Sequence, residues 1–312
     1  MDYSDVFLNT DTSRQISALE GIVLNTKMFL KLAEEFASPI YRPKLNGAYQ
    51  DEQKILTWLD TVNQTPFFRW FRAYYRPEIH GAEKIPDDGA LLVSNHSTPY
   101  LADVGCVYIA MYDKRRRVVY GLGFDILKDG DVIKTIGGTY GTRETGIQLL
   151  RDGKIAMACP EGAVGACRPF YDKNRILEVV GFKKKNLGYL KIAHEADRPI
   201  VPVATVGGGD TVITLADVKR PVTGLMALID SVIPYSRTHI GNKLLGLANG
   251  VPIIPLIITP PLPSKVTAYV SDPIDVRKEL GPSPSQEDYW ALNVHVMKTL
   301  QALIDKEIGL KK

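Results

Sequence analysis

A histidine and an acidic residue stand close together at the end of an apolar run. The segment Leu91–Asp103, LLVSNHSTPYLAD, places Asn95 and His96 directly after residues that are typical of a buried strand. A histidine there can take a proton from an attacking hydroxyl, if a carboxylate on its other ring nitrogen fixes the tautomer and stabilises the imidazolium. Asp103 is the nearest candidate for that carboxylate. Because ligands bind at the carboxyl ends of strands in α/β sheets, this segment predicts His96 as a general base.

A second segment, Ile155–Phe170 (IAMACPEGAVGACRPF), also runs from a predicted strand into a turn. Glu161 can position an acceptor or a phosphate-bearing group, and Gly162 can offer an exposed backbone N–H to an oxyanion. Taken alone, a Pro-Glu-Gly turn is more often only a turn. A third segment, Arg198–Gly209 (RPIVPVATVGGG), contains Pro202 and ends in a glycine run. No Gly-Lys-Ser/Thr follows that run, which argues against a nucleotide site.

In this order the three segments resemble the PlsC-like glycerolipid acyltransferases. The pattern of that family is Asn-His followed by an aspartate, then a Pro-Glu-Gly block, then a Val-Pro-Val block. The resemblance covers residues 76–278. It implies an O-acyltransferase in which His96 and Asp103 form a dyad that activates a hydroxyl of a glycerolipid or another lipid alcohol. The implied donor is acyl-CoA or acyl-ACP, with no metal, no other cofactor and no covalent acyl-enzyme.

The first departure from the family pattern is the spacing of the dyad. The family usually has four residues between the histidine and the aspartate, whereas six stand between His96 and Asp103. The four-residue spacing falls on Leu101. Three alternatives stay open: a longer loop lets Asp103 reach His96, another acid serves, or the dyad is broken. Longer spacings resemble a bacterial and plant branch related to diacylglycerol and phytol-ester acyltransferases.

The second departure follows the Pro-Glu-Gly block, where phosphate-handling members continue with Thr-Arg or a similar basic pair. Here Ala163 and Val164 supply neither a hydroxyl nor a cation. A phosphate on the acceptor would need a charge-assisted partner, which Arg143 or Arg168 could provide. Otherwise the acceptor is neutral, such as diacylglycerol or a long-chain alcohol.

The lysine-rich run Gly181–Ala193 also resembles the family. Lys183 within it could meet the phosphates of the donor or anionic lipid, although a solvated helix start explains it equally well. The candidate substrate-binding residues are Asn95, Ser97, Arg143, Glu161, Gly162, Arg168, Lys183 and Pro202.

Two other functions stay open for the same fold. One is an acyl-thioester hydrolase that uses water or a serine. Ser97 lies next to His96, but the sequence has no Gly-x-Ser-x-Gly elbow. The other is a non-catalytic lipid-binding protein, in which the stretched spacing has cost the dyad its activity.

Strands that alternate with helices must hold these segments. Short apolar runs predict strands at 90–94, 118–122, 155–159, 200–206 and 265–270. Helical patterns predict a helix from Thr142 to Arg151 that ends at Gly153, another at 186–195 and a last one through Trp290 and Ile308. The apolar stripe of the last helix is Trp290, Val294, Met297, Ile304 and Ile308. This alternation implies an α/β fold, with a largely parallel or mixed sheet flanked by helices.

The chain divides into a helical segment at 1–76, suited to membrane association, and an α/β acyltransferase domain at 77–312. In FFRWFRAYYR, residues 67–76, helical spacing puts the three arginines on one face and aromatic residues on another. Such interleaving suits a helix in an anionic lipid interface. The alternative is a helix that packs its aromatic residues on the core and leaves its arginines in solvent.

The composition restricts the partners. A formal charge of +3 is too small to argue for nucleic acid. Three cysteines without metal-ligand spacing are typical of reduced thiols in the cytosol. The uncharged stretch 244–264 contains five prolines, which predicts buried, edge or lipid-facing loop structure rather than a membrane span. We therefore expect a cytoplasmic protein, peripheral at the membrane surface, whose partners are a lipid acceptor and an acyl thioester or acyl carrier protein.

Overall fold

The computed structural model describes residues 51–100, 102–123, 138–140, 142–176, 187–217 and 255–309. The strands in these ranges are β1 (Glu78–His80), β2 (Ala90–Ser94), β3 (Val119–Gly123), β4 (Gly138–Tyr140), β5 (Ile155–Ala158), β6 (Ile200–Val206), β7 (Thr214–Asp217), β8 (Pro255–Ile257) and β9 (Thr267–Val270). Seven of them form one sheet in the order β1-β9-β6-β2-β5-β3-β4, and β7 pairs with β8 in a separate ribbon.

The five strands β4, β3, β5, β2 and β6 run parallel to one another. Every residue of β2 and β6 is buried, as expected for strands that are covered on both faces. The sequence predicted the bounds of both strands from their continuous apolar runs. At the other edge β9 runs antiparallel to β6, and β1 pairs parallel with β9. The predicted α/β fold with a mixed sheet is confirmed.

Helices cover both faces of the sheet. They are α1 (Glu52–Val62), α2 (Pro66–Tyr75), α3 (Ala102–Arg115), α4 (Arg143–Arg151), α5 (Gly162–Ala166), α6 (Gly188–Ala196), α7 (Val276–Leu280) and α8 (Gln286–Gly309). Successive residues of a strand point to opposite faces. Leu91 and Val93 of β2 therefore pack with α4, α6 and α8, whereas Ala90 and Leu92 pack with α3.

The ends of α4 follow from its sequence. The Thr142 hydroxyl accepts the N–H of Thr145 at 3.1 Å and so caps the helix. Gly153, with φ of 71°, takes the left-handed conformation after the last turn. Both features match the prediction.

The last helix differs from its predicted stripe. Its buried residues are Leu292, Asn293, Val296, Met297, Leu300 and Ile304. Only two members of the predicted stripe, Met297 and Ile304, are among them. The buried face is rotated because α8 packs at once against β6, α6 and α7, which the apolar period alone does not reveal.

The basic and aromatic segment forms α2, and its described aromatic side chains, from Phe68 to Tyr75, face the protein. Trp70 and Tyr75 are buried in a cluster with Cys106 of α3, whereas Arg69 and Arg76 are exposed. Of the two interpretations of this segment, the aromatic side chains thus match the helix that packs on the core. Residues 1–50 lie outside the described ranges, so the boundary between 1–76 and 77–312 stays a prediction. Within the described ranges, no helix is both long and apolar enough to cross a membrane.

Candidate active site

The three motif-bearing segments meet at one edge of the sheet. β2 lies between β5 and β6, and all three strands are parallel. Their carboxyl ends therefore bring together the residues after Ser94, after Ala158 and after Val206. In open α/β sheets this edge is where ligands bind.

His96 faces Asp103 across the gap of six residues. Nδ1 of His96 lies 3.1 Å from Oδ2 and 3.2 Å from Oδ1 of Asp103. The carboxylate is fully buried, and it also accepts the N–H of Ser97 at 2.6 Å and that of Val104 at 2.8 Å. Asp103 lies in the first turn of α3, where the helix dipole favours a negative charge. Of the three alternatives for the spacing, the geometry matches the longer loop.

The two side chains shift each other's ionisation. Burial acts to lower the pKa of His96, but the charge and hydrogen bond of Asp103 raise it above the ordinary value. Burial acts to raise the pKa of Asp103, but the charge and hydrogen bond of His96 and the two main-chain N–H groups lower it. Asp103 is therefore an ionised acceptor, which requires the Nδ1–H tautomer of His96. Nε2 is left with its lone pair, so it is the nitrogen that can take a proton.

Asn95 braces two strands. Its amide Nδ2 donates to the carbonyl of Thr205 at 2.9 Å, and its Oδ1 accepts the N–H of Thr205 at 2.7 Å. The side chain thus extends the β2–β6 pairing by one step beyond the strand and is itself buried. The sequence placed Asn95 among the substrate-binding residues. The described contacts of Asn95 instead fix the start of the loop that carries His96.

Glu161 and Arg168 form a buried ion pair beside His96. Nη2 of Arg168 lies 2.6 Å from Oε1 of Glu161, and the two side chains are only 1% and 2% exposed. Oε2 of Glu161 accepts the N–H of His96 at 3.0 Å. Both predicted residues therefore lie at the site, but their charges point at each other and at the main chain.

Gly162 does not present the exposed donor that the sequence suggested. Its N–H donates to the carbonyl of Cys159 at 2.9 Å, within the turn that starts α5. Ser97 is buried, and its N–H and hydroxyl both point to Asp103, the hydroxyl at 3.4 Å. A serine nucleophile would need its hydroxyl to hydrogen-bond Nε2 of His96. The hydroxyl of Ser97 instead points to Asp103.

The remaining predicted residues lie away from the dyad or outside the described ranges. Pro202 is inside β6 opposite Val93 of β2, which precedes His96 by three residues in the chain. Arg143 begins α4, is 56% exposed and forms a salt bridge with Glu195. Among its described contacts, none reaches His96. Lys183 lies outside the described residues.

Two glycines outside the predicted site residues allow the close packing of the site. A Cβ on Gly208 would lie 2.6 Å from Oγ of Ser97 and 3.0 Å from Cβ of Asp103. A Cβ on Gly165 would lie 2.4 Å from Cβ of Glu161 and 2.9 Å from the carbonyl oxygen of His96. The glycine run after β6 is visible in the sequence, where its pattern argues only against a nucleotide site. Its physical role is to let the β6 loop approach the dyad.

Comparison with known proteins agrees with this architecture. A family model described as Acyltransferase matches residues 76–206. An uncharacterised protein of Mycobacterium tuberculosis is 28% identical over 242 residues, which cover 75% of this chain and 62% of that protein. A similar protein of Mycobacterium leprae is 28% identical over 242 residues, which cover 75% of this chain and 60% of that protein. The chain thus matches less than two thirds of the length of these relatives.

Among solved structures, the chain is similar to the 1-acyl-sn-glycerophosphate acyltransferase PlsC from Thermotoga maritima. The TM-score is 0.51 at 17% identity, over 91% of this chain and 97% of that chain. At this identity the likeness concerns the fold.

Proposed function

Because a family model described as Acyltransferase matches residues 76–206, we propose that the protein moves a fatty acyl group from an acyl thioester to a lipid hydroxyl, with His96 as the general base. The observation that carries the proposal is the His96–Asp103 pair, which leaves Nε2 as the proton acceptor. The donor would be acyl-CoA or acyl-ACP, and the acceptor a glycerolipid or another lipid alcohol.

The proposed reaction needs one proton shuttle. Nε2 of His96 takes the proton of the acceptor hydroxyl while the oxygen attacks the thioester carbonyl. The C–S bond of the resulting tetrahedral intermediate then breaks, and the imidazolium returns the proton to the leaving sulfur. Asp103 holds the ring orientation and stabilises the imidazolium between the two steps. The reaction forms one C–O bond, breaks the C–S bond and moves one proton from the hydroxyl to the sulfur, so it needs no covalent acyl-enzyme.

The charges around the site favour a neutral acceptor. Arg168 is buried and paired with Glu161, and Arg143 is paired with Glu195. Ala163 and Val164, where phosphate-handling relatives carry a basic residue, add no charge. A diacylglycerol or a long-chain alcohol would need no phosphate-binding cation.

A lipid acceptor would place the reaction at a membrane surface. The exposed Arg69 and Arg76 of α2 supply positive charge for anionic headgroups. Sedimentation with phosphatidylserine vesicles tests this location. Equal recovery with phosphatidylcholine vesicles alone would argue against the role of charge.

An acceptor screen tests the proposed function. Labelled acyl-CoA is supplied with lysophosphatidate, diacylglycerol or a long-chain alcohol, and the products are identified by mass. We expect transfer by the wild-type protein and its loss in His96→Ala. The matched control is His295→Ala, which removes an exposed histidine of α8. Unchanged turnover in His96→Ala would refute the proposal, and acyl-CoA hydrolysis that exceeds transfer would favour the hydrolase.

A further inference from the structure

The main chain of His96 is held on both sides by one buried ion pair. Its N–H donates to Oε2 of Glu161 at 3.0 Å, and its carbonyl accepts Nη2 of Arg168 at 2.9 Å. The same Nη2 lies 2.6 Å from Oε1 of Glu161. His96 stands two residues after the end of β2, where strand pairing no longer supplies partners for the main chain. The ion pair supplies them instead.

The remaining described contacts of Arg168 also point inward. Its Nε donates to the carbonyl of Gly165 at 2.8 Å, and its Nη1 donates to the carbonyl of Arg175. The planar guanidinium therefore joins the His96 loop to the segment after α5. With a side chain that is 1% exposed, Arg168 is not placed to meet the phosphate of an acceptor.

Stability alone does not explain this pair. Removing two charges from water is costly, and an apolar pair of similar volume often packs as well. What an apolar pair could not do is hydrogen-bond both the N–H and the carbonyl of His96. The ring of His96 must meet Asp103 with one nitrogen and the reacting hydroxyl with the other, which leaves little freedom for its main chain. Misplacement by about 1 Å can cost about 10²-fold in rate.

We propose that Glu161 and Arg168 are positioning residues that fix the main chain of His96 for proton transfer, rather than residues that bind the acceptor. This rests on the proposed function of His96. It reassigns two residues that the sequence placed among the candidate substrate-binding residues.

The kinetic test uses Arg168→Lys, which keeps the buried charge but loses the planar fork of donors. We expect kcat to fall by about 10- to 100-fold, with KM changed less than about twofold. The loss is expected to be equal for lysophosphatidate and diacylglycerol. A rise in KM confined to lysophosphatidate would overturn the proposal, because it would place Arg168 on the acceptor phosphate. So would an unchanged kcat.

A matched control exists at the opposite edge of the sheet. Arg117 pairs with Glu52 at 2.8 Å and donates to the carbonyls of Asp87 and Gly153, with side chains that are 19% and 15% exposed. Arg117→Lys therefore disturbs a similar arginine–glutamate pair and similar main-chain contacts far from His96. We expect its kcat to equal that of the wild type. An equal loss in both variants would mean that the effect on catalysis is general destabilisation.

A second measurement is independent of turnover. The ¹⁵N NMR signals of the His96 ring, assigned by their absence in His96→Gln, report its tautomer and titration. The charge of Glu161 acts to raise the pKa of His96 and that of Arg168 acts to lower it. We expect Glu161→Gln to lower the titration midpoint and Arg168→Gln to raise it, while both lower kcat.

Circular dichroism checks the fold, and Arg168→Lys is decisive where Arg168→Gln does not fold. An unchanged tautomer and unchanged ring chemical shifts in Arg168→Lys, which keeps the charge but loses the fork of donors, would contradict the positioning role. If the wild-type protein transfers no acyl group to any acceptor, the proposed function fails. The ring signals of Arg168→Lys, which keeps the buried charge, still decide whether the pair positions His96.

Discussion

Replacing Asp103 by asparagine tests the dyad most directly. Each carboxylate oxygen of Asp103 accepts one main-chain N–H, Oδ2 from Ser97 at 2.6 Å and Oδ1 from Val104 at 2.8 Å. An asparagine NH₂ group in either position would therefore face an N–H donor. If it turned to Nδ1 of His96 instead, it would require the Nε2–H tautomer, which cannot accept a proton. The variant thus loses both the charge and the correct tautomer.

The size of the effect follows from these contacts. The charge and hydrogen bond of Asp103 raise the pKa of His96, so Asp103 stabilises the imidazolium that forms during proton transfer. General base catalysis contributes about 10²- to 10⁴-fold, so Asp103→Asn should lower kcat by about that factor. A base works only when it is unprotonated, so activity rises with pH through the pKa of His96. Since Asp103 raises that pKa, its removal should move the acid limb of kcat/KM to lower pH.

The assay is acyl transfer from acyl-CoA between pH 5 and 9, with the acceptor that gives the highest turnover. Circular dichroism at each pH separates unfolding from loss of catalysis. The low pKa of Asp103 stabilises the fold above the ordinary aspartate range, and this contribution is lost as pH falls through the folded-state value. A variant with kcat within about threefold of the wild type, and with the acid limb unmoved, would refute the role of Asp103.

Two further predictions concern packing and the far edge of the sheet. Gly208→Ala would push a methyl group against Ser97 and Asp103, so we expect a loss of about 1–3 kcal/mol in urea unfolding and a lower kcat. Gly188→Ala is its control, since a Cβ there meets no described atom within 4 Å; equal losses in both variants would contradict the steric argument. The carboxylate of Glu52 accepts hydrogen bonds from the side chain of Arg117 and from the N–H of Val118. Burial acts to raise the pKa of Glu52, but these contacts lower it below the ordinary value. Its contribution to stability is present above the ordinary glutamate range and is lost as pH falls through the folded-state pKa, so Glu52→Gln should lower the urea midpoint at pH 7 and leave kcat unchanged.

The sequence predicted those parts of the fold whose cause is local. β2 and β6 are continuous apolar runs, and both lie where those runs predict. The cap at Thr142 and the turn at Gly153 depend on residues within one helix. By contrast, β1, β4, β7 and β8 have only three or four residues, too few to show a period. The antiparallel direction of β9 depends on the path of the chain, which no local pattern records.

The same division applies to the site, and it explains why the roles of two charged residues were missed. His96 was predictable because it stands two residues after a strand, whereas the geometry of Asp103 depends on a loop that Gly208 lets pack closely. Glu161 and Arg168 stand seven positions apart, and the short helix α5 turns the chain back so that their charges meet beside His96. A family pattern places a glutamate near an arginine but cannot show where the pair points. Here both side chains contact the main chain of His96. The positive charge of Arg168 is therefore paired beside the proposed base and is not available to a phosphate on the acceptor, which favours an acceptor without phosphate.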